Sequence, residues 1–313
     1  MNLQNLQKIN NDKFYFDIAL KQSQKKRLKR LPRDNVKRLK SIEIEKIRDF
    51  TKILNSNLII MEKAFPSSED LDKFYFELID NNIGIDNLKN VIGKIKGTIL
   101  LINNLKNQHI QKIRGSTNKS GIIQGKKAFL GRIKSVLHKI KGDLENLENI
   151  RLNLRKLPTI KTNITTICIA GYPNVGKSTL LKHLTTAKPE INVYPFTTKR
   201  ILMGYINKDL QIIDTPGTFR DKKNMNLIEK QAYLAIKHLA KTIVFVIDLT
   251  ESCGYTTNLQ EELISNLKKE FKNKTIIIYG SKSDLMNEEQ LKKYQNKNII
   301  FDAKKLKKIL LEK

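Results

Sequence analysis

The sequence predicts two domains of different fold class. These are an all-α helical bundle over residues 1–160 and an α/β domain, with a mostly parallel sheet flanked by helices, over residues 161–313. Apolar residues recur at helical spacing before Pro158, whereas short Ile- and Val-rich runs alternate with helical segments after it. Because 40% of the 313 residues are hydrophobic, the chain can build two cores, which excludes wholesale disorder.

The clearest helical spacing of apolar residues in the first domain predicts a helix over residues 142–157. Its apolar residues recur at steps of three or four and share one face: Leu144, Leu147, Ile150, Leu154 and Leu157. We expect Pro158 to end this helix, because the residue before a proline disfavours helical backbone angles.

Three further helices are predicted upstream of it. One covers residues 42–61 and another covers residues 126–141, while the polar stretch at 67–70 is interpreted as the capped start of a third. The apolar face of this third helix is predicted to hold Leu71, Phe74, Leu78 and Ile79. Residues 115–121 are predicted to form a polar loop. Successive helices without strands between them favour an antiparallel bundle.

Six apolar runs after Pro158 are predicted to be strands. They are ITTICIA, ILMGYI, LQIID, TIVFVID, TIIIYG and NIIF, which start at residues 164, 201, 210, 242, 275 and 298. Most are too apolar for a sheet with one face in water, and this composition is typical of parallel strands covered on both faces. Alternation of such strands with helices favours a nucleotide-binding architecture.

The net charge predicts an anionic partner. The chain has 59 Lys and Arg against 31 Asp and Glu, a formal net charge of +28, which is larger than solubility alone requires. Nucleic acid is the usual partner of such a protein. Residues 1–160 hold the larger share, with 33 basic and 16 acidic residues.

The densest basic run lies at residues 21–40, where ten residues are Lys or Arg and one is acidic. It could be a solvated surface, or part of a lysine-rich usage that extends through the chain. It could also contact the phosphates of structured RNA, because the nearby sequence has too few aromatic residues to stack on unpaired bases. The candidate RNA-binding residues are Lys25, Lys26, Arg27, Lys29, Arg30, Lys37 and Arg38.

Several classes of protein are excluded by composition. No run of 18 apolar residues occurs, so we expect no membrane span and no membrane partner. The first residues lack the apolar stretch of a secretory signal. The two cysteines, Cys168 and Cys253, are too few and too far apart for a disulfide scaffold or a zinc ribbon. A cytoplasmic location is therefore expected.

Residues 171–178 fit the phosphate-binding pattern GxxxxGK[ST], between an apolar strand and a helix. Glycines let backbone N–H groups turn toward phosphate oxygens, and the helix N-terminus adds partial positive charge. Lys177 is expected to reach the β- and γ-phosphates and to stabilise the charge that develops on hydrolysis, while Ser178 is expected to bind Mg2+. The predicted phosphate site comprises Gly171, Tyr172, Pro173, Asn174, Val175, Gly176, Lys177, Ser178 and Thr179.

A second motif, DTPG, begins with Asp214 at the end of a predicted strand. Asp214 is placed to hold a Mg2+-bound water, and the amide of Gly217 is placed to face the γ-phosphate. Thr197 and Thr198 lie in a loop between the two motifs, where one of them can cover Mg2+ in the triphosphate state. The sequence leaves open which threonine does so.

A guanine-recognition motif is predicted after the strand that starts at residue 275. Asp284 can accept two hydrogen bonds from the guanine N1–H and N2–H groups, and Lys282 can lie along the base next to Ser281. A site of this kind should reject adenine by about 10⁴-fold. Backbone amides of a last motif can meet the guanine O6, and that motif is Asp302, Ala303 and Lys304. Each motif alone could be a turn or a helix cap, but their joint order after successive strands predicts a P-loop GTPase domain that binds GTP.

The motifs resemble those of the Obg-related GTPases, in GYPNVGKSTLLKHLT from residue 171, YPFTTK from residue 194 and DTPG. LENLENIRLNLRKLPTI, IEKQAYLAIKHL and IDLTESCGY narrow the resemblance to the nucleolar GTP-binding protein 1 family. It covers nearly the whole chain, which ends soon after the last predicted strand, as a short archaeal-type member would. The resemblance implies work on the large ribosomal subunit or its precursor, with the helical domain docked on ribosomal RNA, and a monomer away from the ribosome.

The sequence departs from the family pattern in two motifs. The guanine motif normally begins with Asn, but Ser281 stands there and cannot make the two-ended bridge of an amide between base and phosphate loop. We therefore expect weaker nucleotide affinity with specificity retained through Asp284. The last motif usually begins with Ser, where this chain has Asp302.

Hydrolysis is expected to be slow. Thr218 follows DTPG where Ras-like enzymes place a water-orienting Gln, and Thr is too short for that role. Asn174 matches the position at which similar potassium-stimulated GTPases carry Asn, so K+ could supply charge that an arginine finger supplies elsewhere. Asn174 could equally be an ordinary small polar loop residue.

Two functions of different class remain open. One is a ribosome-assembly GTPase with GTP and Mg2+ as ligands, in which loops 190–200 and 214–225 reorder with the γ-phosphate and change RNA contacts. The other is a nucleotide-gated RNA or protein interaction module whose turnover is negligible. A basic GTPase that contacts tRNA or an anionic membrane is a weaker third hypothesis.

Overall fold

The computed structural model of the chain describes two compact units. The described residues are 3–24, 32–157, 160–185, 190–193, 200–215, 225, 227–286, 288, 292, 294 and 298–312. One unit is formed by Asn2–Asp70 and Ile79–Arg155, and the other by Leu71–Leu78 and Lys156–Lys313. The short segment 71–78 thus clusters with residues that follow it by about eighty positions in the chain.

The first unit is built from helices, as the sequence predicts. In the described part of the chain, the helices before residue 156 are α1 (Asp12–Ser23), α2 (Asn35–Ala64), α3 (Lys73–Ile83), α4 (Ile85–Gly115), α5 (Lys119–Lys139) and α6 (Lys141–Arg155). The first half of α3 lies in segment 71–78 and so clusters with the second unit. In this unit α2 packs against α1 and α4, and α4 also packs against α5 and α6. Phe50 and Phe129 are fully buried and meet edge to face, with ring centroids 5.8 Å apart, so an aromatic pair lies in the core.

Side-chain caps shift two predicted helix starts. α2 begins ahead of the predicted range 42–61, because Asp34 accepts a backbone hydrogen bond of its first turn at 2.7 Å. The helix predicted to start within 67–70 begins after Asp72, which accepts a hydrogen bond from the amide of Tyr75 at 2.9 Å. The predicted starts are therefore wrong by several residues, since the caps are single polar side chains that the apolar pattern does not register.

The predicted loop at 115–121 is shorter in the structure. α5 begins at Lys119, because Asn118 accepts a hydrogen bond from the amide of Gly121 at 2.9 Å and caps the helix there. The helix predicted over 126–141 therefore starts seven residues earlier and ends at Lys139. The predicted helix at 142–157 is observed as α6.

The second unit contains a seven-stranded sheet in the described part of the chain. Its strands are β1 (Thr165–Ala170), β2 (Glu190–Val193), β3 (Arg200–Asn207), β4 (Leu210–Asp214), β5 (Ala240–Asp248), β6 (Thr275–Ser281) and β7 (Ile299–Ile300), and their order in the sheet is β2-β3-β4-β1-β5-β6-β7. β4, β1, β5, β6 and β7 run parallel, whereas β3 is antiparallel to both β2 and β4. The predicted α/β class with a mostly parallel sheet is confirmed.

β2 has no counterpart among the predicted strands. It is a four-residue strand at the edge of the sheet, and so short an element carries too little periodicity to be recognised in the sequence. The antiparallel hairpin of β3 and β4 also explains why these two strands follow each other with only two residues between them.

Among the described residues, four helices accompany the sheet, namely α7 (Lys177–Leu184), α8 (Leu227–His238), α9 (Thr257–Glu270) and α10 (Ala303–Leu311). α7 and α10 contribute to an apolar cluster with residues of β1 and β5, including Ile169, Leu181, Val246 and Leu306, which are fully or almost fully buried. α8 and α9 also pack against β5. Since β1, β4, β5 and β6 run parallel, the loops that follow them emerge at one edge of the sheet.

Candidate functional site

The loop after β1 turns sharply at residues with positive φ. Gly171 has φ +144°, and a Cβ atom there would lie 2.4 Å from the carbonyl oxygen of Val246 in β5, so the chain passes too close for a side chain. Gly176 has φ +96° and Asn174 has φ 61°, so both lie in the left-handed region. These turns bring the chain to Lys177, where α7 begins. The backbone here has the strand–loop–helix course of a phosphate-binding loop.

The remaining residues of the predicted phosphate site differ in exposure. Val175 is fully buried, Tyr172 and Pro173 are half-buried, and Thr179 is exposed on the first turn of α7. The ring of Tyr172 stacks on that of Tyr255, which follows β5, with centroids 4.2 Å apart and planes 26° apart. The phosphate loop is therefore held from one side by the segment after β5.

Two charged or polar side chains of the first turn of α7 face the site. Lys177 is buried, and its Nζ donates to the carbonyl oxygen of Tyr172 at 2.7 Å. Ser178 donates from its Oγ to Oδ2 of Asp214 at 2.7 Å. The phosphate loop and the DTPG motif, which start 43 positions apart in the sequence, thus meet at the edge of the sheet.

Burial dominates the electrostatics of Asp214. Loss of hydration raises the pKa of this carboxyl above its usual value, because the charged form is the one that water stabilises. The hydrogen bond from Ser178 and the charge of Lys177 offset part of that rise. The next residue, Thr215, is held by two hydrogen bonds. Its amide and its hydroxyl donate to the carbonyl oxygen of Ile169 at 3.0 and 2.7 Å.

The pair Ser178 and Asp214 fits Mg2+. Hydroxyl and carboxylate oxygens are the hard ligands that this ion prefers. Oδ1 of Asp214 is buried and has no hydrogen-bond partner among the residues that the structure describes, so a second group is needed to satisfy it. Ser178 would hold the ion directly, and Asp214 would hold it through a water.

Some predicted residues lie outside the described residues. In the GTPase domain these are Thr197, Thr198, Gly217 and Thr218, and in the basic run they are Lys25, Lys26, Arg27, Lys29 and Arg30. Their predicted roles remain predictions.

Ser281, the first residue of the predicted guanine motif, lies against the phosphate loop. A Cβ atom built on Gly176 would be 3.6 Å from Cβ of Ser281. The hydroxyl of Ser281, however, donates to the carbonyl oxygen of Ile247 in β5 at 3.2 Å. The short side chain is therefore bonded to the neighbouring strand, and the contact that an Asn amide would make toward the loop is not formed by it.

Lys282 and Asp284 follow at the end of β6. Lys282 has φ 54°, and its Nζ lies 2.8 Å from Oδ2 of Asp248, an ion pair that the sequence analysis does not foresee. Asp284 is exposed within the short 3-10 turn Ser283–Leu285. Its carboxylate is thus accessible to the donors of a base, as guanine recognition requires.

The last motif lies at the start of α10. Asp302 accepts a hydrogen bond from the amide of Lys304 at 2.8 Å and caps the helix, while Ala303 is half-buried. Ser and Asp are both favoured at this helix position, so the departure from the usual Ser preserves the local geometry.

Sequence reasoning missed the residues that follow β5. The carboxylate of Asp248 is fully buried and accepts hydrogen bonds from the loop after it, and Gln260 of α9 bonds to the backbone of the same residue. One signal could have found Asp248: like Asp214, it is an acidic residue at the carboxyl end of an apolar parallel strand.

Basic side chains collect at one end of the helical unit. Nζ of Lys40 in α2 donates to the carbonyl oxygen of Arg114 at 2.8 Å, which brings the start of α2 to the end of α4. Lys37 and Arg38 are exposed on the first turn of α2, and Lys112 is exposed on the last turn of α4. Cations at a helix N-terminus oppose the helix dipole, so helix stability does not account for Lys37 and Arg38.

None of the helices in the described ranges combines the length and the apolar character of a membrane-spanning segment. Within the same residues, no group of three or more His, Cys, Asp or Glu side chains is arranged to hold a metal ion.

Comparisons with known proteins match both halves of the chain. Residues 4–161 match a family described as the NOG1 N-terminal helical domain, and residues 166–282 match one described as 50S ribosome-binding GTPase. An uncharacterised protein of Methanocaldococcus jannaschii is 41% identical over 80% of this chain and 71% of its own length.

Two eukaryotic relatives carry a functional name. Nucleolar GTP-binding protein 1 of Eremothecium gossypii is 34% identical over 73% of this chain and 36% of its own length. A probable nucleolar GTP-binding protein 1 of Dictyostelium discoideum is 30% identical over 93% and 44%. The chain thus spans less than half the length of these eukaryotic relatives.

Proposed function

Because the chain belongs to the nucleolar GTP-binding protein 1 family and carries a P-loop GTPase domain, we propose that it acts as a slow GTP-hydrolysing switch in assembly of the large ribosomal subunit. The meeting of Ser178 with Asp214 beside Lys177 is the observation that carries the nucleotide half of this proposal. The exposed basic end of the helical unit supports the RNA half. Work in the cytoplasm, as a monomer away from the ribosome, completes the proposal.

The residues at the edge of the sheet have separate roles in hydrolysis, some toward the phosphates and some toward the metal ion. Mg2+, when bound, neutralises charge on the β- and γ-phosphates. Lys177 would exchange its bond to the carbonyl of Tyr172 for the phosphate oxygens and stabilise the negative charge that develops there. Ser178 and Asp214 would hold the ion, and the amide of Gly217 would face the γ-phosphate.

We infer a slow rate from the residue types available. Thr218 cannot orient a water as a longer Gln side chain does, and hydrolysis then depends on charge stabilisation alone. Thr197 or Thr198 would cover the ion only in the triphosphate state, so nucleotide state would change the loops that carry them.

Asn174 is the candidate ligand for K+. Its side chain is exposed and its backbone is left-handed, next to the phosphate site. A monovalent cation there would add positive charge beside the phosphates, which predicts faster hydrolysis in K+ than in Na+ at equal ionic strength. Equal rates in the two salts would make Asn174 an ordinary loop residue.

The proposed contact with ribosomal RNA is supported by the positive charge at one end of the helical unit. Lys37, Arg38, Lys112 and Arg114 are exposed at the same end of the helical unit, next to the point where the basic run enters α2. Cationic side chains that neutralise phosphates release counterions, so binding should weaken steeply as salt rises. A-form RNA presents such phosphates in a fixed shape.

Binding to purified large subunits tests this half. We expect replacement of Lys37, Arg38, Lys112 and Arg114 by Ala to weaken sedimentation with large subunits by at least tenfold and to flatten its salt dependence. The matched control replaces four exposed lysines of the GTPase domain by Ala, namely Lys268, Lys269, Lys272 and Lys308. Equal losses in both variants would show that total charge, and not this end of the helical unit, determines binding.

One observation favours the second candidate, an interaction module with negligible turnover. Ser281 bonds to Ile247 and leaves the phosphate loop without an amide bridge, which predicts weak nucleotide retention. Single-turnover GTP hydrolysis with and without large subunits discriminates the two functions. Stimulation by the subunit supports the assembly GTPase, and its absence supports the module.

A further inference from the structure

Asp248, at the carboxyl end of β5, is the buried centre of a polar network. It is fully buried, and its Oδ1 accepts hydrogen bonds from the amide and hydroxyl of Thr250 at 3.0 and 2.6 Å. Its Oδ2 accepts from the amide of Cys253 at 2.9 Å and from the hydroxyl of Ser252 at 3.1 Å. The loop after β5 is thus folded around this carboxylate.

The fifth donor to Asp248 comes from the guanine motif. Nζ of Lys282 lies 2.8 Å from Oδ2 of Asp248 and also donates to the hydroxyl of Ser252 at 2.8 Å. These two contacts fix the ammonium group of Lys282, and its left-handed backbone fixes the other end of the side chain. A buried carboxylate without its cation is costly, so the pair holds the lysine firmly.

Gln260 of α9 fixes the backbone of Asp248 in turn. Its Oε1 accepts from the amide of Asp248 at 2.8 Å, and its Nε2 donates to the carbonyl oxygens of Asp248 at 2.9 Å and Tyr255 at 3.0 Å. Gln260 is fully buried. Since the ring of Tyr255 stacks on Tyr172, the same segment braces both the guanine motif and the phosphate loop.

We propose that Asp248 is a positioning residue for guanine recognition, which acts by holding Lys282 so that its stem and the neighbouring Asp284 are set for the base. The proposal rests on the assignment of Lys282 and Asp284 to the guanine site. A lysine ordered before binding loses less freedom when the nucleotide arrives, so affinity rises without a direct contact to the ligand. Asp248 itself touches no part of the nucleotide in this account.

Replacement Asp248→Asn tests the proposal, because Asn keeps the size and one acceptor oxygen and removes the ion pair. We expect GDP to bind about tenfold more weakly, which is the scale of one lost charge-assisted contact. The preference for GDP over inosine diphosphate should also fall. Inosine lacks the N2 amino group, and Asp284 would no longer be held where it accepts a hydrogen bond from that group. Both are measured by titration of the full chain with fluorescent GDP and by competition with inosine diphosphate.

The matched control is Glu251→Gln in the same loop. Glu251 is exposed and accepts hydrogen bonds from Thr257, not from Lys282. The substitution therefore removes one negative charge, as Asp248→Asn does, without changing the Asp248–Lys282 ion pair. We expect GDP affinity and base preference to stay within twofold of the wild type. A loss as large as that of Asp248→Asn would show that the net charge of the loop is responsible.

A double-mutant cycle separates positioning from loop folding. In a Lys282→Met background, Asp248→Asn should cost less than twofold, because Asp248 acts through the lysine. A tenfold cost that persists there would overturn the proposal. So would unchanged GDP affinity in Asp248→Asn while the wild type binds GDP, whereas a wild type that fails to bind GDP would overturn the proposed function itself.

If Asp248→Asn does not fold, Ser252→Ala provides the second variant. It removes one acceptor of the Lys282 ammonium and leaves the carboxylate in place. We expect a two- to threefold loss of GDP affinity that vanishes in the Lys282→Met background. Unchanged GDP affinity in Ser252→Ala with Lys282 intact would contradict the proposal.

Discussion

Two aspartates end parallel strands in this site, and their surroundings shift their ionisation in opposite directions. Burial raises the pKa of Asp214, which receives one hydrogen bond from Ser178. Burial opposes ionisation of Asp248 as well, yet the bonds from Lys282, Thr250 and Ser252 outweigh it and lower its pKa to about 2. Burial acts to raise the pKa of both carboxyls, and at Asp248 the larger number of donors outweighs it.

The position of Ser281 predicts a gain of affinity on substitution. Ser281→Asn should strengthen GDP binding by about tenfold, because an amide at this point reaches toward Gly176 and can bridge the base and the phosphate loop. Calorimetric titration of the full chain measures the change. Ser283→Asn, two positions along the same motif, serves as control, and unchanged affinity in both would contradict the prediction.

The ionisation of Asp248 predicts an acid-sensitive contribution to stability. Its pKa is lowered from 3.8 to about 2 on folding, so the stabilisation is present above pH 4 and is lost as pH falls through about 2. Asp248→Asn should remove about 2 kcal/mol of this pH-dependent stability. Urea unfolding between pH 2 and 6 measures it, and parallel pH profiles of the two proteins would speak against it.

At the scale of elements, α6 holds the N-terminal segment of the helical unit. Arg151, only 4% exposed, bonds to both carboxylate oxygens of Glu148 at 2.7 Å and to the carbonyl oxygen of Leu6 at 3.1 Å. Glu148 accepts from the amide of Ile9 at 2.8 Å, and the hydrogen bonds from Arg151 lower its pKa. One ion pair thus anchors a segment 139 or more positions away.

Removal of that anchor should loosen the segment. Arg151→Met is expected to lower the free energy of unfolding by about 3 kcal/mol, because Glu148 is left part-buried without its cation. Amide hydrogen exchange at Leu6 and Ile9 should accelerate. Lys141→Met in the same helix is the control, since its 3.8 Å pair with Glu145 is exposed and contributes little. Equal free energies of unfolding in the two variants would contradict the anchoring role of Arg151.

At the scale of the whole molecule, the GTPase unit includes residues from the helical half of the sequence. The hydroxyl of Tyr75 accepts from the amide of Ile160 at 2.8 Å and donates to its carbonyl oxygen at 3.2 Å. Glu77 pairs with Lys237 of α8 at 2.7 Å. Segment 71–78 is therefore part of the fold of this unit, although 86 residues separate it from β1.

A fragment that starts at residue 156 should be less stable than the same unit in the full chain. It lacks Tyr75 and the buried Phe74 and Leu78, so it exposes the apolar surface that they cover. We expect its GDP-bound melting temperature to fall by several degrees. Addition of a peptide with residues 69–80 should restore part of the loss, and a fragment as stable as the full chain would contradict the assignment.

Features that depend on a short-range pattern can be predicted from the amino-acid sequence alone. Helical spacing around Leu147 and Ile150, the apolar strands and the order of the motifs around Lys177 and Asp284 predict the fold class and the nucleotide site, because each is written in neighbouring residues. Helix starts such as Asn35 were predicted less well, since one capping side chain decides them.

Which distant residues meet is visible only in the folded chain. The pair Asp248–Lys282 and the placement of segment 71–78 each join parts of the chain that local periodicity cannot connect. A contact between residues 34 or more positions apart depends on how strands order themselves in the sheet. That order is set by packing of whole elements, and no short stretch of sequence contains it.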